Sequence, residues 1–296
     1  MSDAEQSVSV VIPCYNRESS VEKAIHSVLS QDYPDFEVIA VDDRSTDATL
    51  EVLRSIEDPR LQVIVNEGPK GAAGARNAGA KLAKSSWVAF QDSDDLWYPS
   101  KLSKQVEKVK DSDFVAVYCA MDCFEDGVQI LRVPNDITSH LEGDLVSSLL
   151  SDSFISTQTV MIRRDVFEKI GGMDPEFRSL DDWEMMIRVS LEGPIAFLDE
   201  VLVEQHMSSN SITRSSENRV NAQIQLLGKH SELWSAYPKE LARHHYRVSG
   251  GLLANKRYRE ASSHAKEAAK LQPFNWRYVS KAIASSIFAK LRKEAR

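Results

Sequence analysis

The chain has 296 residues, 42% of them hydrophobic and 27% charged, which suits a folded protein with a full core, built as one large or two smaller domains. A formal net charge of −8 speaks against general nucleic-acid binding. No apolar run is long enough to span a bilayer, and the acidic, polar start Met1-Ser2-Asp3-Ala4-Glu5 lacks the pattern of a signal peptide. The β-branched run Ser7–Ile12, stopped by Pro13, predicts a buried strand. Ser19-Ser20-Val21-Glu22 fits a capping box with Ser19 as N-cap, and Val21, Ile25, Val28 and Leu29 continue as one helical stripe. Phe36–Val41 predicts the next strand, and Ser45 or Thr46 the cap of a helix carrying Leu50, Leu53 and Ile56. Leu61–Val65 predicts a third strand; the loop Gly68–Gly74 then enters an alanine-rich helix through Lys84, and Trp87–Phe90 predicts a fourth strand. Such alternation with short connections predicts right-handed βαβ units and a largely parallel sheet.

The pattern loosens after Lys110. Strands are expected at Phe114–Cys119, Val128–Val133, Thr159–Arg163, Ile195–Leu198 and Val201–Glu204, and a helix from Asp181 to Glu192. From about Ser215 the composition becomes helical, interrupted at Tyr237-Pro238 and Gln272-Pro273. The expected division is a domain over 1–214 and a helical region over 215–296, with the boundary near Ser211–Glu217. Glu260–Pro273 is similar to half of a tetratricopeptide-type hairpin, without a second copy. Val279, Ile283, Ile287 and Leu291 share a face of the last segment, among Arg277, Lys281, Lys290, Arg292, Lys293 and Arg296. Two readings stay open there: a helix packed on its neighbour with a solvated basic tail, or peripheral contact with an anionic membrane. Cys14, Cys119 and Cys123, with no further pair to complete a zinc site, point to core packing in a reducing compartment.

The chemistry gathers at strand ends. Trp87-Val88-Ala89-Phe90 runs into Gln91-Asp92-Ser93-Asp94-Asp95, three acids within four residues. Like charges this close repel, and a hard divalent cation with oxygen ligands relieves the repulsion. Pro13-Cys14-Tyr15-Asn16 follows the first strand, and Asp42-Asp43-Arg44-Ser45-Thr46-Asp47 the second. Parallel strands bring all three segments to one crevice.

Taken in order, V-S-V-V-I-P-C-Y-N, V-I-A-V-D-D-R-S-T-D, G-A-R-N-A-G-A, W-V-A-F-Q-D-S-D-D-L-W, then Gly171-Gly172-Met173-Asp174 and Leu180-Asp181-Asp182-Trp183-Glu184, the chain resembles family 2 glycosyltransferases of the GT-A fold, of the type that builds bacterial cell-surface glycans. The resemblance covers the first two-thirds. It implies an α/β, Rossmann-like domain, with a mostly parallel central sheet and helices on both faces, followed by a C-terminal helical region. It implies an inverting enzyme that moves a sugar from a nucleotide diphosphate sugar, with UDP the expected nucleotide, to a hydroxyl of a glycan or lipid-linked glycan. The cofactor would be Mn²⁺ or Mg²⁺, and the site cytoplasmic or peripheral at the inner face of the plasma membrane.

Residue by residue, the resemblance puts Tyr15 against the nucleotide base, with Pro13 and Asn16 beside it, and Asp43 on the uracil imide. Arg76 and Ser93 join the nucleotide-sugar set, although Arg76 and Asn77 equally read as ties for the glycine loop. Asp92 lies by the ribose or a metal-bound water. Asp94 is the metal ligand, with His206 as a second metal or diphosphate contact, and Asp95 reads as a turn or helix cap. Asp182 is the general base, Asp181 its orienting partner, and Trp183 lines the acceptor groove. Taken alone, Asp181 and Asp182 equally suit a helix cap, and His206 a surface or core histidine. Two other functions compete: a D-x-D phosphohydrolase with Asp92 as nucleophile, and a nucleotide-sugar-binding protein without turnover. The first leaves Asp182 unexplained and has Leu96 where that chemistry expects threonine or valine; intact Asp94 and Asp182 speak against the second.

Overall fold

A computed structural model describes residues 6–135, 140–207 and 216–294, with the side chains of 291–294 excepted. The chain forms two compact units. One comprises Met1–Val146, Phe154–Glu176 and Asp181–Ser209; the other comprises Ser147–Ser153, Phe177–Leu180 and Asn210–Arg296. The boundary expected near 211–217 falls largely on 208–215, outside the described residues.

The first unit is built on a sheet whose first part is a parallel wall. Strands β1 (Val8–Cys14), β2 (Phe36–Asp42), β3 (Leu61–Val65) and β4 (Trp87–Phe90) line up as β3-β2-β1-β4, all parallel. These are the β-branched runs expected from the sequence; β1, β2 and β4 are buried on both faces, as an interior parallel sheet requires, while β3 at the edge stays partly exposed. Helices α1 (Val21–Leu29), α2 (Thr49–Ser55) and α3 (Ala72–Ala80) make the crossovers. Val21, Ile25, Val28 and Leu53 join Val8, Val10 and Ile12 in one core.

Helix α3 lies on the opposite face, against Val11 and Val41, and Gly79 permits its close approach. A Cβ at Gly79 would stand 2.4 Å from Val11 Cγ1 and 2.9 Å from Val41 Cγ2. Gly79→Ala is therefore expected to cost about 1–3 kcal/mol of unfolding free energy through overpacking, read by urea denaturation.

Beyond β4 the sheet is mixed. The order continues β4-β8-β6-β9-β5, with β5 (Leu96–Trp97), β6 (Ala116–Glu125), β8 (Val160–Arg163) and β9 (Ile195–His206), while β7 (Val128–Val133) pairs with β6. Strand β8 runs antiparallel to both β4 and β6, and β6 and β9 are parallel. The two strands expected at 195–198 and 201–204 are one: Leu198 opposes Cys119 and Val201 opposes Ala120, so Asp199 and Glu200 form an irregularity within β9. Helices α4 (Lys101–Val109), α5 (Val146–Ser151) and α6 (Arg164–Lys169) were not anticipated, and α7 (Asp181–Ser190) was.

Two expected caps fail locally. Helix α1 starts at Val21 with no side-chain cap, and the Ser20 hydroxyl donates instead to the Ser93 carbonyl at 3.0 Å. At α2 it is Asp47, not Ser45 or Thr46, that accepts from the Thr49 amide at 3.0 Å. Cys14, Cys119 and Cys123 are all buried and unpaired, and burial lifts each thiol above its ordinary range.

In the second unit, α8 (Ser216–Lys229), α9 (Ser231–Ser235), α10 (Pro238–Ala254), α11 (Tyr258–Leu271) and α12 (Trp276–Glu294) surround a small core of Val220, Val248, Leu252 and Ala261. Pro238 opens α10, a position where its missing N–H costs nothing, and α11 stops ahead of Pro273. Among the described residues no helix is long and apolar enough to cross a membrane.

Candidate active site

The carboxyl ends of β1, β2 and β4 lie side by side. Cys14 opposes Asp42, and Val11 opposes Phe90, so the segments after each strand share one edge. Pro13 closes β1 opposite Val41. Tyr15 is 42% exposed, with the Lys70 ammonium 4.4 Å from its ring centroid. Asn16 turns the chain at φ 51° and ties this loop to the next: its side-chain carbonyl accepts from the Thr46 amide at 2.8 Å, and its amide donates to the Ser45 hydroxyl at 3.1 Å.

Asp42 and Asp43 are both buried. Asp42 accepts from the Ser45 amide through Oδ2, while its Oδ1 has no partner. Asp43 holds the glycine loop in place, accepting from Asn66 Nδ2 at 2.6 Å and from the Gly71 amide at 2.7 Å. A carboxylate offers about four acceptor sites, so Asp43 keeps capacity for a donor on a ligand.

Arg76 is the hub. Its guanidinium is buried and spans two acids that are distant in sequence: Nη2 reaches Asp92 Oδ1 at 2.5 Å, and Nη1 reaches Asp181 Oδ2 at 3.2 Å. Its neighbour Asn77 holds the segment preceding the acid pair, donating to the Met173 carbonyl at 2.7 Å and accepting from the Met173 amide at 2.8 Å. Gly172, at φ +73°, makes room for this; a Cβ there would lie 2.6 Å from Asn77 Oδ1. Neither side chain bonds the glycine loop: Asn77 ties the Met173 segment, and Arg76 bridges Asp92 and Asp181 as a strut.

The three acids after β4 part company. Asp92 and Asp94 are partly exposed, and Asp94 pairs with Arg17 at 3.2 Å. Burial, then the charge of Asp92, pushes the Asp94 carboxyl up against the pull of Arg17. Asp95 turns inward. It accepts from Gln158 Nε2 and from the His206 amide, each at 3.0 Å, and burial with the charges of Asp92 and Asp94 raises it strongly. It thus stitches the acidic loop to the end of β9 rather than capping a turn. Ser93 is buried, its carbonyl taken by Ser20.

Asp181 and Asp182 open α7, half-buried. Burial, then the Asp181 charge, moves the Asp182 carboxyl up to about 7, although the Trp183 amide donates to its Oδ1 at 2.7 Å. Burial raises Asp181 as well, against the pull of Arg76. Trp183 corrects an expectation. At 1% exposure it is part of the core, because the first turn of α7 points it inward, and it offers no face for an acceptor sugar.

His206 is near the acidic loop through its backbone only. Its exposed ring lies along Phe124 with centroids 5.8 Å apart, and Nε2 is 3.5 Å from Glu204. Among the described residues no three His, Cys, Asp or Glu side chains are gathered to hold a metal. The donor set still fits a hard cation: Asp94 faces outward, beside Asp92, in a cluster whose carboxyls repel one another. Magnesium-type ions are commonly held by one or two carboxylates with substrate phosphates and water completing the shell.

An α/β sheet presenting acids, an aromatic ring and an acid-opened helix at one edge defines a transferase of the GT-A fold. The Glycosyl transferase family 2 profile matches residues 9–171, more than half of the chain, and the protein belongs to that family. It is a glycosyltransferase. It is 33% identical over 213 residues, 70% of this chain and 81% of the other, to the glycosyltransferase TuaG of Bacillus subtilis (strain 168), assigned by name to teichuronic acid biosynthesis. It is 27% identical over 225 residues to the Escherichia coli UDP-Glc:alpha-D-GlcNAc-diphosphoundecaprenol beta-1,3-glucosyltransferase WfgD, covering 75% of this chain and 85% of that one. Its fold matches a crystal structure of Staphylococcus aureus TarS 1–349, at TM-score 0.68 and 18% identity over 98% of this chain and 92% of that chain.

Proposed function

We propose that this glycosyltransferase transfers a sugar from a UDP-sugar to a hydroxyl of a glycan or lipid-linked glycan by a single inverting displacement. The observation that carries this reading is the Arg76 strut, which holds Asp92 on the donor side and Asp181, next to Asp182, on the acceptor side of one site. Tyr15, with Pro13 and Asn16 beside it, would stack on the base, and the spare acceptor capacity of Asp43 suits a base edge that presents N–H, as uracil does. Arg76 and Ser93 would complete the sugar-nucleotide site, Arg76 while bound to Asp92.

Asp94 would hold Mn²⁺ or Mg²⁺, with His206 as a further contact. When bound, such an ion neutralises the charge that develops on a leaving diphosphate. In the displacement the acceptor oxygen forms a bond to the anomeric carbon, the bond to the diphosphate oxygen breaks, and the hydroxyl proton passes to the Asp182 carboxylate. Asp181 holds Asp182 in register. A phosphohydrolase with Asp92 as nucleophile would give no part to Asp182, which the Arg76 bridge brings to the same site through Asp181.

Support for the donor and acceptor class comes from the relatives. The E. coli enzymes WfaP and WfgD are named for UDP-Glc and a diphosphoundecaprenol acceptor. TarS has been crystallised with UDP and with UDP-GlcNAc, and a Pyrobaculum calidifontis mannosyltransferase with GDP-Man and Mn²⁺. A lipid-linked acceptor would suit a cytoplasmic enzyme, peripheral at the inner membrane face, with 1–214 as its catalytic domain and 215–296 as its helical region.

The deciding experiment is a donor screen by UDP or GDP release with Mn²⁺ and acceptor extract; release of free phosphate alone would refute the reading. Asp94→Ala is expected to abolish metal-dependent UDP binding in calorimetry, and unchanged affinity would remove Asp94 from the metal site.

A further inference from the structure

Helix α12 is inside out. The side facing its neighbours is largely small or polar: Ser285 is fully buried, the Ser286 hydroxyl meets that of Ser262 at 2.9 Å, and Lys281 Nζ donates to the Tyr246 carbonyl at 3.1 Å while lying 3.8 Å from that ring's centroid; Tyr278 adds a large ring to that side, 4.8 Å from the Tyr246 ring between centroids. The large apolar side chains face out. Trp276 is 72% exposed, Ile283 59%, Ile287 and Phe288 53% each, and Phe274, just ahead of the helix, is fully exposed. Trp276, Ile283 and Ile287 follow one helical stripe. Val279, expected on that stripe, is partly buried instead, and the side chain of Leu291 lies outside the described residues.

The stripe of Trp276, Ile283 and Ile287 is thus left to solvent while serines are buried, although Phe288, off that stripe, stacks on Tyr258 with centroids 6.3 Å apart. The charge is equally lopsided. Residues 272–296 hold six Lys and Arg against one Glu, a local +5, which leaves −13 on the rest of the chain.

We infer that the outward face of α12, with Phe274 ahead of it, is a foot that rests on an anionic lipid surface. Trp276 and Phe274 suit the headgroup level, Ile283 and Ile287 the boundary with the acyl chains, and the exposed Arg277 and Lys290 the lipid phosphates. A second copy of this chain is the poorer occupant, because a two-fold contact would set one +5 segment against another. The inference deepens the peripheral placement proposed above and rests on that reading only for the choice of membrane.

The test is flotation of the full chain with vesicles of phosphatidylcholine alone or with phosphatidylglycerol added, at low and high salt. The protein is expected to float with the anionic vesicles, roughly tenfold less with neutral ones, and less at high salt. The double variant Ile283→Glu/Ile287→Glu should lose flotation about tenfold while keeping the parent's circular dichroism and its UDP release on a soluble acceptor. Failure of the parent to float, or equal flotation of the variant, overturns the inference. So does a parent that is dimeric by light scattering, does not float, and becomes monomeric in the variant. Loss of UDP release from the parent would instead count against the transferase reading and leave the flotation result standing.

Discussion

Asp182→Asn is expected to lower turnover by roughly 10²–10⁴-fold while donor affinity stays at the parent value, because the substitution removes a proton acceptor and keeps the shape. The pH dependence is the sharper test. A base must be deprotonated, and the Asp182 carboxyl sits at about 7. In the parent, kcat/KM should therefore rise about tenfold per pH unit on the acid side and level off above about 7, whereas the residual rate of the variant loses that limb.

Stability should move the opposite way. The folded-state value lies above the ordinary 3.8, so the folded chain binds this proton more tightly than the unfolded chain does. That contribution is complete below about pH 4 and is lost as pH rises through about 7. The melting temperature of Asp182→Asn should therefore climb relative to the parent between those limits. A parent-like rate in the variant, or a melting difference that does not depend on pH, would remove Asp182 from the role of base.

Arg76→Met should be the most damaging substitution to the fold of the site. It leaves Asp92 and Asp181 facing each other with no counter-charge, 27% and 21% exposed. Breaking a fully buried pair costs roughly 3–5 kcal/mol; partial solvation of both carboxylates brings the expected loss here to about 2–3 kcal/mol by chemical denaturation. The loss should shrink in acid, where protonated carboxyls need no counter-charge. Turnover should fall even where the variant is fully folded, since Asp181 is no longer held beside Asp182. A variant as stable as the parent at neutral pH would mean that the strut is a contact of convenience.

The parallel half of the fold was legible because it is local. β-Branched runs bounded by turn residues mark β1 to β4, and each ends in the polar residues that reach the shared edge. Those ends alone bring Tyr15, Asp43, Asp92 and Asp94 to one edge. The antiparallel insertion of β8 between β4 and β6 was hidden, since nothing in Val160–Arg163 names a partner far away in the chain. Within the acidic motif, only the tertiary partners Gln158 and the His206 amide separate inward Asp95 from outward Asp94. The cap expected at Ser19 failed as well: the helix starts one residue later, after Ser20, whose hydroxyl donates to the remote Ser93 carbonyl. Trp183 misled because an aromatic beside an acid pair reads as a sugar platform until its burial is known.

The three thiols, sealed in the core and held protonated, give the native chain an unplanned convenience. Alkylating reagents meet no ready thiolate, so a single cysteine added at the surface, Ile287→Cys for example, would be the one site that takes a spin label or fluorophore. The depth of α12 at a bilayer could then be measured on otherwise unaltered protein.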